Sequence, residues 1–326
     1  MKLIIQIPCL NEADTLPAVL ADLPTTLPGL DVIETLVIDD GSQDETVAVA
    51  RRCGVTHVVR HGRNRGLAQA FQTGLETCLR LGADVIVHTD ADHQYPGRYI
   101  ADLVGPVLAG SAEIVIGDRQ VQHTPYFSPF KKRMQRLGSG LVRNLSGLNV
   151  PDTVSGFRAY SREAALRFTI LTRYSYTLET LIQAGKQGLS VTSIPIETNP
   201  PTRPSRLQRN MWHFIKQQTA TLLRVYAFYE PLRTFSYLAL PFLLAGFSLL
   251  ARFFYFYLSA GGAGKIQSVS IGVGLFLVGV ITALFGLQAD IAGKHRQLTQ
   301  ETLYRLKKME LQPPPSPNER SPNNQA

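Results

Sequence analysis

Two runs of the 326-residue chain carry no charged side chain, Phe235 to Leu250 and Ile271 to Leu287. Each extends to roughly twenty residues, enough for a helix to cross a hydrocarbon layer about 30 Å thick. Arg252 stands near the far end of the first run, where its apolar stem lets the guanidinium reach the headgroups. The link Ser259 to Ser268 is rich in glycine and its only charge is Lys265. Arg233 precedes the pair, and Lys294, Arg296, Arg305, Lys307 and Lys308 follow it. An excess of basic residues outside the pair predicts both chain ends in the cytoplasm, as in a multi-pass protein of the cell (inner) membrane. The competing reading is a hairpin buried in a soluble core.

The flanking segments fit this frame. Between 207 and 232, Leu207, Met211, Phe214, Ile215, Leu222, Val225, Tyr226 and Tyr229 recur at helical spacing, with Arg209, Lys216 and Arg224 between them. With Trp212 and two tyrosines added, the pattern predicts an amphipathic helix in the membrane interface, against the alternative of a core-facing helix. The hairpin then covers 233–293 and a cytoplasmic tail 294–326. From about 312 the tail is rich in Pro and Asn and is expected to be disordered. The formal charge of +8 calls for an anionic partner. The basic residues cluster beside the apolar runs and no nucleic-acid-binding signature accompanies them, so membrane and phosphate are expected and nucleic acid is not. Cys9, Cys53 and Cys78 form no CxxC pair and read as reduced thiols. Pro8 and Asn11-Glu12 interrupt the first apolar run, which argues against a signal peptide.

Residues 1–206 alternate short β-rich runs with amphipathic stretches. Leu3–Ile7, Thr35–Ile38, His57–Val59, Val85–His88 and Ile114–Ile116 read as strands, and Thr15–Leu23, Thr46–Cys53 and Leu67–Leu81 as helices. This predicts an α/β domain with a largely parallel sheet. Such sheets bind ligands beyond the carboxyl ends of their strands. Pro8 to Glu12, Asp39 to Ser42 and Asp90 to Asp92 all follow strands and can converge there. Asp-x-Asp alone is a common solvated turn. Beside a diphosphate, however, two carboxylates need a hard divalent cation between the negative charges, and Mg²⁺ or Mn²⁺ prefers oxygen ligands.

"IPCLNE", "IDDGSQDET", "RNRGLAQA" and "TDADHQYP" occur in this order. The series resembles family-2 glycosyltransferases of the GT-A fold, a Rossmann-like mixed sheet, and among them polyprenyl-phosphate sugar synthases of the dolichol-phosphate mannose synthase type. The likeness runs from about Leu3 to Leu207, and some such enzymes end in two transmembrane helices. It implies metal ligation by Asp90, Asp92 and Gln94, with Ala91 between the carboxylates against the donor and His93 facing solvent. It also implies a donor pocket at Pro8, Leu10 and Glu12, with Ile38 and Asp40 near base and ribose, although Asp39 can equally be the nucleotide contact. Leu10 stands where the family usually has Tyr. Asn64, Gly66 and Leu67 are assigned to structure, and Ser42 or Asp44 to capping the helix from Thr46. Arg119 matches an arginine that serves catalysis and both substrates. With Arg133 or Arg136 it would grip an acceptor phosphate, beside Lys131 and Lys132 on the membrane surface. Arg203 and Arg206 match basic residues against the diphosphate, although Pro200 occupies the family's first Arg position. Glu179 reads as a buried acid with Arg158 as partner.

The resemblance thus implies inverting, metal-dependent transfer of a sugar from a nucleoside diphosphate to a polyprenyl monophosphate. The alternatives are a membrane-bound family-2 enzyme with a glycan or protein acceptor, and a non-catalytic membrane scaffold. The sugar, the base, the polyprenol length and the choice between monomer and homo-oligomer stay open.

Overall fold

The first strand, β1 (Lys2–Cys9), is buried along almost its whole length, as expected of a central strand covered on both faces. Around it a computed structural model describes residues 1–120, 138–140, 142–170, 176–200, 226–260 and 266–311. Two compact units result, Met1–Leu207 together with Gln300–Ala326, and Gln208–Thr299.

In the first unit β2 (Val32–Asp39), β3 (His57–Arg60), β4 (Val85–His88), β5 (Ile114–Asp118), β6 (Arg158–Ser161) and β7 (Val191–Pro195) join β1 in one sheet, in the order β3-β2-β1-β4-β6-β5-β7. Only β6 runs against its neighbours, pairing antiparallel with β4 and β5. The sheet is therefore mixed, and β1, β2, β3, β4, β5 and β7 end on the side where β6 begins. Helices α1 (Leu16–Ala21), α2 (Thr46–Arg52), α3 (Leu67–Arg80) and α4 (Ile100–Leu108) are the crossovers between parallel strands; α5 (Arg162–Arg167) and α6 (Tyr176–Lys186) follow β6. One face of the core joins Leu3, Ile5 and Ile7 of β1 to Leu16, Val19, Ile100, Leu103 and Val104 of the helices. Among the elements beyond the sequence expectation are β6, β7, α4 and α5.

The three thiols are free, and burial pushes those of Cys9 and Cys78 up, away from reactivity. The helix α8 (Ile266–Glu310) runs on beyond the apolar segment, so residues 294–310 are helical. Its last turns belong to the first unit. Lys307 Nζ donates to the Phe168 carbonyl at 3.1 Å, Arg162 Nη2 donates to the Leu311 carbonyl at 2.8 Å, and Tyr304 hydrogen-bonds Glu163.

The second unit contains α7 (Pro231–Ala260) and the apolar length of α8, both long and apolar enough to span a bilayer. Tyr237, Phe247 and Leu258 are 64–71 % exposed, so they do not form a covered core. The helices approach through glycines: a Cβ at Gly246 would lie 2.6 Å from Phe276 N, and one at Gly279 2.7 Å from Leu243 Cγ. Arg296 lies over the Phe228 ring at 3.8 Å. Residues 207–225 of the expected interfacial helix lie outside the described residues.

Candidate active site

Among the described residues three non-glycine ones adopt left-handed backbone, Asn11 (φ 55°), His93 (φ 58°) and Gln120 (φ 47°). Each follows a strand at the carboxyl end of the sheet, after β1, β4 and β5 respectively. Such conformations are unfavourable outside glycine and gather where a turn must present particular groups. The sequence-predicted motifs lie at these tips.

The tips of β1 and β2 are stitched together. Asn11 N donates to Ser42 Oγ at 2.9 Å, while Asn11 Oδ1 accepts from Gln43 N at 2.8 Å. Glu12 N donates to Thr46 Oγ1, and Asp44 accepts from Ala13 N and from Thr46 N. Of the two capping candidates, Asp44 therefore serves the start of α2, and Ser42 holds the β1 loop. Pro8, Leu10 and Glu12 stand at this tip, Pro8 buried and the other two half-buried.

The acidic pair divides its work. Asp40 accepts from His61 Nδ1 at 2.7 Å, Arg65 N at 2.9 Å and Gly66 N at 2.8 Å, so its carboxylate is spent on the loop that opens α3. The Ile38 side chain is fully buried, with Cδ1 against α3 at Gly74. Asp39 accepts from Ser42 N through Oδ1; its buried Oδ2 accepts no hydrogen bond and lies 3.1 Å from Arg60 Nε in an ion pair. Asp39 is thus the carboxylate of the pair with capacity to spare. Next to it Gly41, Ser42, Gln43 and Arg60 to Asn64 line a cleft of about 620 Å³. Asn64 Oδ1 accepts from Gly66 N, consistent with a structural part.

Beyond β4, Asp90 and Asp92 are half-buried and Ala91 is buried between them. Asp92 Oδ1 accepts from Gln94 N at 3.1 Å. Among the described residues Asp90 accepts no hydrogen bond, and its nearest partner is His88 Nε2 at 3.7 Å. Gly156 faces it: a Cβ there would fall 3.2 Å from Asp90 Oδ2. A carboxylate with unsatisfied oxygens beside an open glycine fits an oxygen-seeking cation. No three His, Cys, Asp or Glu side chains converge among the described residues, so a cation here needs oxygens from its ligand or from amides such as Gln94 as well. His93, expected to face solvent, is half-buried. Its Nε2 lies 3.5 Å from Asp22 Oδ2, and its carbonyl accepts from Asn199 Nδ2 at 2.9 Å.

Arg119 follows β5 and is gripped by Asp152. Nε donates to Oδ2 at 2.7 Å and Nη2 to Oδ1 at 3.0 Å, a bidentate pair with 15 % and 2 % of the side chains exposed. Asp152 Oδ1 also accepts from Val154 N and Ser155 N. Burial works against this carboxylate, but Arg119 and the two amides hold it below the usual range. Tyr95, its phenol pushed up to about 12 by burial, accepts from Gly156 N at 3.2 Å. Arg158 does not pair with Glu179. Its guanidinium donates to the Thr153, Ser155 and Thr177 carbonyls and to Thr180 Oγ1, while Glu179 accepts from Gln183. Arg133, Arg136, Lys131, Lys132, Arg203 and Arg206 lie outside the described residues.

Sequence reasoning missed His88, Tyr95, Asp152 as the partner of Arg119, and Tyr176. The one available signal was His88 itself, a polar side chain at the inward end of an apolar strand.

Comparison with known proteins identifies the family. The chain is 30 % identical over 188 residues to the UDP-N-acetylglucosamine–dolichyl-phosphate N-acetylglucosaminyltransferase of Methanococcus voltae, covering 50 % of this chain and 73 % of that one. It is 30 % identical over 207 residues to the undecaprenyl-phosphate mannosyltransferase of Micrococcus luteus, covering 60 % and 83 %. Glucosyl-3-phosphoglycerate synthase from Mycobacterium tuberculosis, solved with Mn²⁺, UDP and phosphoglyceric acid, superposes with a TM-score of 0.55 at 20 % identity, over 69 % of this chain and 78 % of that one. That likeness establishes a GT-A-like fold. The profile of glycosyl transferase family 2 matches residues 4–168, about half of the chain, so this protein belongs to glycosyltransferase family 2.

Proposed function

We propose that this glycosyltransferase moves a sugar from a nucleoside diphosphate to a polyprenyl monophosphate at the cytoplasmic face of the cell (inner) membrane, with inversion and with a divalent cation. The observation that carries the reading is the order of groups across the sheet. A cleft beside Asp39 lies at β2 and β3, two carboxylates at β4, and a buried guanidinium at β5. A nucleotide over the first, its diphosphate at the second and an acceptor phosphate at the third would lie in one line. Two apolar helices and relatives named for dolichyl- and undecaprenyl-phosphate support a lipid acceptor. We further assign the interfacial helix to 207–232 and the hairpin to 233–293.

Asp90 and Asp92, with the Gln94 amide, would hold Mg²⁺ or Mn²⁺, as the Mn²⁺ in the M. tuberculosis structure encourages. When bound, the cation would neutralise charge on the departing diphosphate. An oxygen of the acceptor phosphate attacks the anomeric carbon, the bond to the β-phosphate oxygen breaks, and the nucleoside diphosphate leaves with the electron pair. A phosphate monoester is already an anion, so the reaction asks little of a general base. The chain's task is then positioning and charge matching, with Arg119 on the acceptor side and Arg203 and Arg206 on the donor diphosphate.

Membranes containing the protein, incubated with polyprenyl phosphate and radiolabelled GDP-mannose or UDP-sugars, should yield label in the lipid extract that disappears with EDTA. Label in glycan or protein would instead identify a different acceptor. Absence of nucleotide binding with Mn²⁺ would leave the scaffold reading.

A further inference from the structure

A chain of polar side chains crosses the core beneath Asp90. Gln6 of β1 and His88 of β4 are completely buried and Tyr176 of α6 nearly so. Gln6 Nε2 lies 3.2 Å from His88 Nδ1, and His88 Nε2 lies 2.8 Å from Tyr176 Oη. Phe71 of α3 packs against both rings, stacked on Tyr176 at 4.2 Å and edge-on to His88 at 5.1 Å. Two glycines make room. A Cβ at Gly74 would fall 2.1 Å from Gln6 Oε1, and one at Gly156 would fall 2.8 Å from Tyr176 Oη.

This arrangement is costly. A glycine inside a helix such as α3 loses about 1 kcal/mol relative to Ala, and the buried Gln6 Oε1 has no hydrogen-bond partner. Leucine or valine at 6 would remove the unsatisfied amide oxygen from the core. The chain leads to one place: His88 Nε2 stands 3.7 Å from Asp90 Oδ1, whose carboxylate accepts no hydrogen bond among the described residues. Because the Gln6 amide donates to Nδ1, the imidazole proton belongs on Nε2, with Tyr176 Oη at 2.8 Å as its hydrogen-bond partner and Asp90 Oδ1 next, at 3.7 Å.

We propose that His88, held by Gln6, is a positioning residue that fixes the rotation of the Asp90 carboxylate for a divalent cation. It rests on reading Asp90 as a cation ligand. Outer-shell donors of this kind orient metal-binding side chains, and losing one typically weakens metal affinity about 10–100-fold.

The test is Mn²⁺ binding to the full-length protein in detergent, followed by the EPR signal of free Mn²⁺, with and without inorganic pyrophosphate. His88→Leu should weaken binding about 10–100-fold. His88→Gln, whose amide N–H can occupy the place of Nε2–H, should recover most of that loss. Tyr176→Phe should weaken binding less than His88→Leu, because the phenol bonds the imidazole and not the carboxylate. Thermal midpoints recorded alongside separate this from a packing role, which would lower the midpoint without ranking Gln above Leu in affinity. If Asp90→Asn loses Mn²⁺ while His88→Leu binds like wild type, the positioning role is wrong and the cation site stands. If Asp90→Asn binds like wild type, the cation site itself is wrong. Should His88→Leu fail to fold, a His88→Gln protein that is folded but binds as poorly as Asp90→Asn overturns the proposal.

Discussion

Replacing Asp152 by Asn changes one charge and almost no volume, yet it strikes a largely buried ion pair beside the site. Asp152 receives two hydrogen bonds from the Arg119 guanidinium and two from the backbone of its own turn. With both side chains largely out of water, Asn leaves the guanidinium without a counter-charge, at a cost of about 3–5 kcal/mol. For a unit of this size the thermal midpoint should fall by roughly 6–20 °C. Arg119→Met combined with Asp152→Leu removes both charges together. It should regain much of the loss, short of about 1–3 kcal/mol for backbone donors left without an acceptor. Transfer activity should not return with it, because the proposed function assigns that guanidinium to the acceptor side. Acid behaviour supplies a second measurement. Arg119 holds Asp152 below the usual carboxylate range, so the pair's contribution is complete above about pH 4. It is lost as pH falls through the lowered value. Asp152→Asn should therefore lack that component of acid destabilisation. The assay is thermal unfolding in detergent from pH 7 down to 3. An Asp152→Asn midpoint within about 2 °C of wild type, or a double variant as unstable as the sum of its singles, would refute the reasoning.

Three further outcomes are expected. Asp92→Asn should abolish turnover and metal-dependent donor binding, measured by transfer to lipid and by calorimetry with Mn²⁺; normal transfer would remove Asp92 from the site. Gly279→Leu should force Leu243 and its backbone aside, costing about 1–3 kcal/mol or more and lowering the midpoint, whereas Gly274→Leu, with open space around its Cβ position, should not. Arg133→Ala should raise the KM for polyprenyl phosphate about ten- to a hundredfold with donor affinity nearly unchanged. The opposite pattern would move that arginine to the donor diphosphate.

Elements whose apolar spacing is regular were legible in the sequence. The five strands from β1 to β5 and helices α2 and α3 lie close to their expected positions, because burial on one or both faces leaves a period that residue types reveal. β6 escaped notice because Arg158-Ala-Tyr-Ser carries a guanidinium in a fully buried strand, and only its bonds to Thr153, Ser155 and Thr177 explain how that charge is tolerated. α4 escaped because Gly105 and Pro106 stand within it. In the site, motif order located Asp90, Asp92 and Arg119, but residue type could not say which way each side chain turns. Asp39 and Asp40 look interchangeable in sequence. They differ only because His61, Arg65 and Gly66 converge on the second. Asp152 and Tyr176 are brought to the site by pairings 33 and 88 residues long, beyond any local pattern.

The same folding unit is held at its other end by the last turns of α8. In the β4–β6 ladder His88 faces Arg158 and Val85 faces Ser161, so α5, which starts at Arg162, leaves the sheet at the end opposite the site. There Glu163 accepts from Tyr304 and Lys308, and Arg167 lies over the Tyr304 ring at 4.4 Å. Lys307 pairs with a carbonyl, and burial lowers its pKa, the mark of an ammonium taken out of water. Solvated tail residues would show none of these features. Residues 300–311 are part of the catalytic unit's own surface. A protein cut before Phe235 therefore loses more than its apolar helices: the Phe168 carbonyl loses its partner and Glu163 two of its donors. Weakened stability in such a fragment belongs to that lost contact and is no measure of what the apolar helices do for a lipid acceptor. Only a fragment that keeps residues 300–311, rejoined by a linker, compares lipid presentation with the fold left whole.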